Sequence, residues 1–352
     1  MSIPIFIPTQ TLYFTMNDLP QDERYALEND KDVQHMTSLG LRFNILTTTE
    51  GKIFYYERGI WDVMTERLPI LVLLHGYPQT SFIDIPLFIP DVPGYGRSSP
   101  LSSGPHDKRS VGQAILKTLY ILLSRSNNRS YKHLRLNHAV IKSIIIAGHD
   151  QGARICHRLA VDQAIYPCFS IRGAILVDMV PTAVQWSTFG MPERSTAWFH
   201  WPFLANVEVA TELIMAQGGD AFVRMCLNRW VGNNDQGLAK FKSNDSIAIY
   251  ADSFKYESVI RATCDEFRAG AEEDIQLQCE DQRAGRKVDV DVLLLCSESL
   301  FKEYNMGQVW REWMGKGTVQ GGQFGGGIGH FIAEEAPEKA ADLIRRFYIR
   351  CT

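Results

Sequence analysis

The sequence predicts an α/β protein, a mostly parallel sheet wrapped by helices with a helical cap inserted late in the sheet, on three observations. Near-continuous apolar runs (LPILVLLH at 68–75, SIIIAGH at 143–149, GAILVD at 173–178, VDVLLLCS at 290–297) read as strands buried on both faces. Helix-like stretches at 109–125, 151–165 and 335–348 alternate with them, as a parallel sheet requires. Residues 183–285 break that alternation: they hold Trp186, Trp198, Trp201 and Trp230 in helix-like stretches with no buried strand.

The elements follow in order. Residues 1–40 are mixed and polar, and DLPQDERYALENDKD reads as a solvated N-terminal extension. LRFNILT and KIFYYER form an antiparallel pair turning near Glu50–Gly51. The first part of the core runs over 41–182, the cap over 183–285 and the second part of the core over 286–352. With 352 residues, 45% of them hydrophobic, the chain can bury a sizeable core. A formal net charge of −4 offers no basic footprint for nucleic acid and no polybasic membrane patch. Seven cysteines, odd in number and without a CxxC pair, suit a reducing compartment. There is no signal peptide pattern and no apolar run of about 18 residues, so the expectation is a soluble, cytoplasmic protein. Nine histidines without HExxH spacing, and a glycine-rich GGQFGGGIG (321–329) without a phosphate-loop pattern, predict neither metal nor cofactor.

The chemistry concentrates in SIIIAGHDQGAR (143–154). A buried strand runs into Gly148-His149-Asp150-Gln151-Gly152 and then a helix, the spacing of a nucleophile elbow with Asp150 where lipases and esterases have serine. Glycines two residues either side permit the tight turn, and the helix N-terminus favours an ionised carboxylate. An ordinary strand-to-helix turn with an N-capping aspartate is the plainer alternative. Against it stand HGYPQT (75–80) directly after a buried strand, DVPGYGRSS (91–99) after the next, and GGIGHF (326–331) beyond the last. The first loop would supply the Tyr77 N–H to an oxyanion hole, with the Gln151 N–H as second donor. His330 falls in the chain position expected of the general base, and Asp178, ending the strand in VDMVPT, is the preferred orienting acid. Glu298 is its rival; a loop-capping role is the alternative for Asp178.

HGYPQT, DVPGYGRSS, GHDQGARICHRLA, VDMVPT, WFHWPFLA, CDEFRAGA and GHFIAEEAPE, in that order over residues 41–349, resemble the fluoroacetate dehalogenases. These belong to the α/β-hydrolase group shared with epoxide hydrolases and haloalkane dehalogenases. The resemblance implies an α/β-hydrolase fold and an alkyl-ester mechanism. In it Asp150 displaces the leaving group, His330 oriented by Asp178 activates water, and two backbone N–H groups hold the oxyanion. It also implies that His200 and Trp201 bind the departing halide, that Trp230 is a further pocket aromatic, and that Arg154 contacts a substrate carboxylate. Trp201 and Trp230 read equally well as cap core.

Three departures stand out. Gln151 replaces the arginine that usually follows the nucleophile, and Phe267 replaces the tyrosine of the usual DYRAGA. Only ten residues separate Thr80 from Asp91, with Pro86 and Pro90 among them, fewer than a helical crossover needs. Either the chain lacks the helix beside its oxyanion loop, or the gene reading behind the sequence is faulty there. The expected partners are a small organic substrate and water, with a homodimer compatible with the sequence. A dehalogenase-like pocket is favoured over an epoxide hydrolase, whose alkoxide leaving group needs a proton donor such as Tyr250 or Tyr256. A non-catalytic relative is the alternative from another class.

Overall fold

The computed structural model describes residues 15–61, 67–75, 85–124 and 142–352. Eight strands form one sheet in the order β1-β2-β4-β3-β5-β6-β7-β8. They are β1 (Arg42–Thr48), β2 (Gly51–Arg58), β3 (Ile70–Leu74), β4 (Leu87–Pro90), β5 (Lys142–His149), β6 (Phe169–Val177), β7 (Asp291–Ser297) and β8 (Val319–Phe324). The first two form an antiparallel hairpin, β2 pairs antiparallel with β4, and all later pairs are parallel.

The apolar runs become central strands because both of their faces are covered. In β5, Ile144 and Ile146 join the core that includes Ile155 and Leu159 of helix Gln151–Val161. Ile145, between them, points to the opposite core with Ile344, Phe347 and Tyr348 of helix Pro337–Cys351. This period-2 division repeats at Val72 and Leu71, Leu176 and Ile175, Leu294 and Leu293. Helix Lys108–Ser124 packs beside Gln151–Val161, where Gly112 is so close to Leu159 that a Cβ would lie 2.8 Å from it.

Two features depart from the sequence reading. The stretch read as a solvated extension contains helices Gln21–Glu28 and Lys31–Ser38. The first buries no side chain, but the second, N-capped by Asp30, sinks Val33 and Met36 into the core beside β1 and β2. The glycine-rich tract contributes to a strand, β8, an exposed edge whose register with β7 runs from Val292↔Val319 to Ser297↔Phe324. The short crossover joins two parallel neighbours, β3 and β4, paired at Leu71↔Leu87 and Val72↔Phe88. Residues 76–84 of that connection, Tyr77 and Thr80 included, lie outside the described residues.

Between β6 and β7 the chain is helical from Thr182 to Ala284. These helices have their own core, with Trp201, Phe222, Leu227, Phe241, Ile260 and Phe267 among its members, joined from the sheet side by Phe331. Buried charge ties them to the sheet. Lys108 Nζ lies 3.1 Å from Glu266 and 3.6 Å from Asp274, all with side chains no more than 3% exposed, and Tyr95 donates its hydroxyl to Glu266. Removing one partner from a buried pair strands the other charge, so this cluster fixes helix Glu257–Ala271 over the C-terminal ends of the strands. Among the described residues, no helix is long and apolar enough to cross a membrane.

Candidate active site

The C-terminal ends of β5, β6 and β7 open into one cavity of about 850 Å3, roofed by the helical segment. At the end of β5, Asp150 adopts φ 46° and ψ −112°, a conformation that strains a non-glycine residue. The surroundings hold it there: Asp150 N donates to Val177 O at 3.0 Å, while its own carbonyl accepts from Arg154 N at 3.1 Å. The flanking glycines have a steric cause. A Cβ on Gly148 would lie 2.3 Å from the Gly152 backbone, and one on Gly152 would lie 2.3 Å from Leu74 O. Only glycine lets the helix start this close to β3 and β5.

Asp178, also at positive φ (51°), ends β6. Its Oδ1 accepts from Ser297 N at 2.7 Å, and its Oδ2 lies 2.7 Å from His330 Nδ1. The His330 loop is held from several sides. His330 N donates to Trp230 O at 3.1 Å, and its carbonyl lies 2.9 Å from His149 Nε2. Glu335 accepts from Gly329 N (2.8 Å), Gly232 N (3.0 Å) and Phe331 N (3.1 Å), so one carboxylate joins this loop to the end of helix Gly219–Trp230.

The charges reinforce one another. Burial alone would raise the pKa of Asp150, but the fields of His330 and Arg154, aided by His149 and His200, hold it below the usual carboxylate range. Burial would lower that of His330, but the bond to Asp178 and the charges of Asp178 and Asp150 outweigh it and raise it. His200 is pushed down to about 3, chiefly by burial, so its ring is neutral. Its Nδ1, like Nε1 of Trp230, is buried without a hydrogen-bond partner in the protein. The two rings lie 4.5 Å apart, and Trp230 lies 6.4 Å from His330.

Asp150, Asp178, His330, Gln151, His200, Trp230 and Phe267 therefore share one cavity wall. Gln151, as the first residue of its helix, has an N–H with no intrahelical acceptor. Two residues expected in the pocket are not on its wall. Arg154 is buried behind it, donating to Val180 O and stacked on Trp201 with its guanidinium carbon 4.5 Å from the ring centroid. Trp201 packs there against Trp186 and Phe267 as core. Glu298 lines the cavity, but its carboxylate pairs with Lys302 at 2.8 Å, whereas Asp178 is the acid at His330 Nδ1. Glu335, Ser297 and Tyr95 escaped the sequence reading; GHFIAEEAPE contains Glu335, but nothing in a linear motif tells which of its three glutamates turns back onto the loop. Among the described residues, no cluster of three or more His, Cys, Asp or Glu side chains could hold a metal ion.

Comparison with known proteins agrees with this architecture. A fluoroacetate dehalogenase from Burkholderia sp is 24% identical over 294 residues, 79% of this chain and 86% of that protein. A solved structure from Nostoc sp PCC 7120, provisionally named an alpha/beta hydrolase, matches with a TM-score of 0.70 at 28% identity, covering 87% of this chain and 97% of the other. A Pseudomonas aeruginosa structure, provisionally named an epoxide hydrolase, matches at 0.71 and 24% identity over 89% and 97% of the two chains. The alpha/beta hydrolase family model matches residues 71–343, and this chain belongs to that family.

Proposed function

We propose that this protein hydrolyses the carbon–halogen bond of an uncharged organic halide through an ester on Asp150. The observation that carries the reading is the 2.7 Å contact of His330 Nδ1 with Asp178, on a cavity wall that Asp150 shares. An Asp150 carboxylate oxygen attacks a saturated carbon, the carbon–halogen bond breaks, and its electron pair leaves with the halide. His330 then takes a proton from water through Nε2, while Asp178 stabilises the imidazolium. The resulting hydroxide attacks the ester carbonyl, and the oxyanion is held by the Gln151 N–H and, outside the described residues, that of Tyr77. Collapse expels the alkoxide, which takes the proton from His330, and the regenerated Asp150 carboxyl loses its proton to solvent. The sum is halide plus water giving alcohol, halide ion and a proton.

Halide is favoured over an epoxide by the donors on the wall. The Trp230 indole N–H, which no protein group pairs, suits an anion that needs hydrogen bonds but no proton, and neutral His200 serves likewise in the tautomer that carries its proton on Nδ1. An alkoxide needs an acid, and the tyrosine among the described lining residues, Tyr95, donates to Glu266 with its pKa well above the usual phenol value, chiefly through burial. An uncharged substrate is favoured because Gln151 carries no charge and Arg154 lies behind the wall. Intact mass of the His330→Ala protein exposed to a panel of organic halides tests the reading. An adduct of the alkyl mass on Asp150 supports it; no adduct, with an active wild type, refutes it.

A further inference from the structure

The cavity extends beyond the reacting end, to Ile214, Phe222 and Val223 of the cap helices. Its volume of about 850 Å3 lies near the top of the range that encloses whole drug-sized ligands, far more than a two-carbon halide fills. Two cap helices line it with stripes at helical spacing. On Gly219–Trp230 the lining positions include Val223, Leu227 and Trp230; on Glu257–Ala271 they are Ile260, Thr263 and Phe267. Residues at i, i+3 or i+4, and i+7 share one helix face, so each stripe spans about 10 Å, two turns at ~1.5 Å per residue.

Both stripes start at the same place. His200 lies 4.5 Å from Trp230 and 6.0 Å from Phe267, ring to ring. They also meet at the far end. A Cβ on Gly219, one turn before Val223, would fall 2.8 Å from Ile260 Cδ1, so the two helices touch there. Between these ends both stripes line the same cavity and form the sides of a channel leading away from Asp150. Apart from the Thr263 hydroxyl, which donates back to Val259 O at 3.0 Å, and the free thiol of Cys226, the two helix faces beyond Trp230 and Phe267 offer the cavity apolar side chains. Apolar cavity wall that faces no apolar partner forgoes packing, and such a surface accepts apolar guests.

We infer that this channel binds an apolar arm of the substrate, a hydrocarbon chain or ring extending about 10 Å from the carbon that Asp150 attacks, with Val223 and Ile260 setting its length. The inference rests on the proposed reaction for its reacting end, and on the two helical stripes alone for the arm.

The test is a series of primary 1-bromoalkanes from two to ten carbons, followed by bromide release. Burial of each methylene should raise kcat/KM about fourfold. The six-carbon member should exceed the two-carbon one by about 10²-fold, with a plateau once the channel is full. Val223→Phe should move the plateau to shorter chains and Val223→Ala, which adds no bulk and guards against misfolding of the first, to longer ones. Rates independent of chain length, or a plateau that neither variant moves, would overturn the inference. If no bromide is released at any length and no ester forms, the reaction itself is refuted. Thermal protection by primary alcohols, which needs no turnover, then decides the channel: protection that grows with chain length and follows the Val223 variants supports it, and protection without length dependence overturns it.

Discussion

Replacing Asp178 by Asn should stall the second half of the reaction while leaving the first able to occur, for a reason set by two hydrogen bonds. Oδ1 of residue 178 accepts from Ser297 N at 2.7 Å, a backbone donor that cannot reverse its role. An asparagine must therefore keep its amide oxygen there and turn its NH2 towards His330 Nδ1, now 2.7 Å from Oδ2. Two N–H groups cannot face each other, so His330 shifts its proton to Nε2, the nitrogen that has to accept one from water. In serine hydrolases the same tautomer error costs about 10⁴-fold, or about 5 kcal/mol in the barrier. With a substrate that alkylates Asp150, Asp178→Asn should give a burst of about one halide per enzyme molecule followed by almost no turnover. Rapid-quench halide release alongside intact mass would follow both phases. The reasoning fails if steady-state turnover falls by less than about tenfold, or if Glu298→Gln produces the stall instead.

Further outcomes follow from the same geometry. The raised pKa of His330 means that its neutral, basic form is lost as pH falls through a value above 6.5, whereas Asp150, held below 3.8, stays ionised. Acidification to pH 5 should thus accumulate ester, seen by acid-quenched mass analysis, and ester-free enzyme at pH 5 would contradict the assignment. Glu335→Gln keeps a carbonyl acceptor but loses the charge shared by three backbone N–H groups. It should slow ester hydrolysis about tenfold or more while Glu335→Ala slows it further, each read by single-turnover decay of the ester; equal wild-type decay would refute a positioning role. Fluoroacetate should be a very poor substrate, since neither Gln151 nor the hidden Arg154 meets its carboxylate and Phe267 offers fluoride no hydroxyl. Phe267→Tyr should raise fluoride release by about 10-fold to 10²-fold, and efficient release by the wild type would show these positions misread.

The central sheet was legible because its strands are covered on both faces. Uninterrupted β-branched runs such as Ile144–Ile145–Ile146, alternating with helix-like stretches, suit a parallel sheet covered on both sides, and β3, β5, β6 and β7 fall where such runs lie. The edge strand β8 was not, since Val319–Phe324 is exposed and holds two glycines, leaving no apolar periodicity to read. Helix Lys31–Ser38 was missed because two buried side chains, Val33 and Met36, are too few to mark a face among charges. In the site, Asp150 and His330 announce themselves through glycines that a turn requires. Contacts between distant segments are another matter: that Arg154 stacks on Trp201 instead of facing the cavity depends on how helix His200–Ala205 settles over Gln151–Val161, a tertiary outcome that no linear motif encodes.

The most direct test of the ester mechanism is a single turnover in water enriched in ¹⁸O, with enzyme in excess over substrate. If Asp150 attacks carbon and water attacks the ester carbonyl, the alcohol takes its oxygen from the Asp150 carboxylate. The label then enters the protein, and peptide mass analysis should place it in the fragment containing Asp150 while the alcohol remains unlabelled. Labelled alcohol with unlabelled Asp150 would mean that water attacks the substrate directly, and the account would be wrong at its centre.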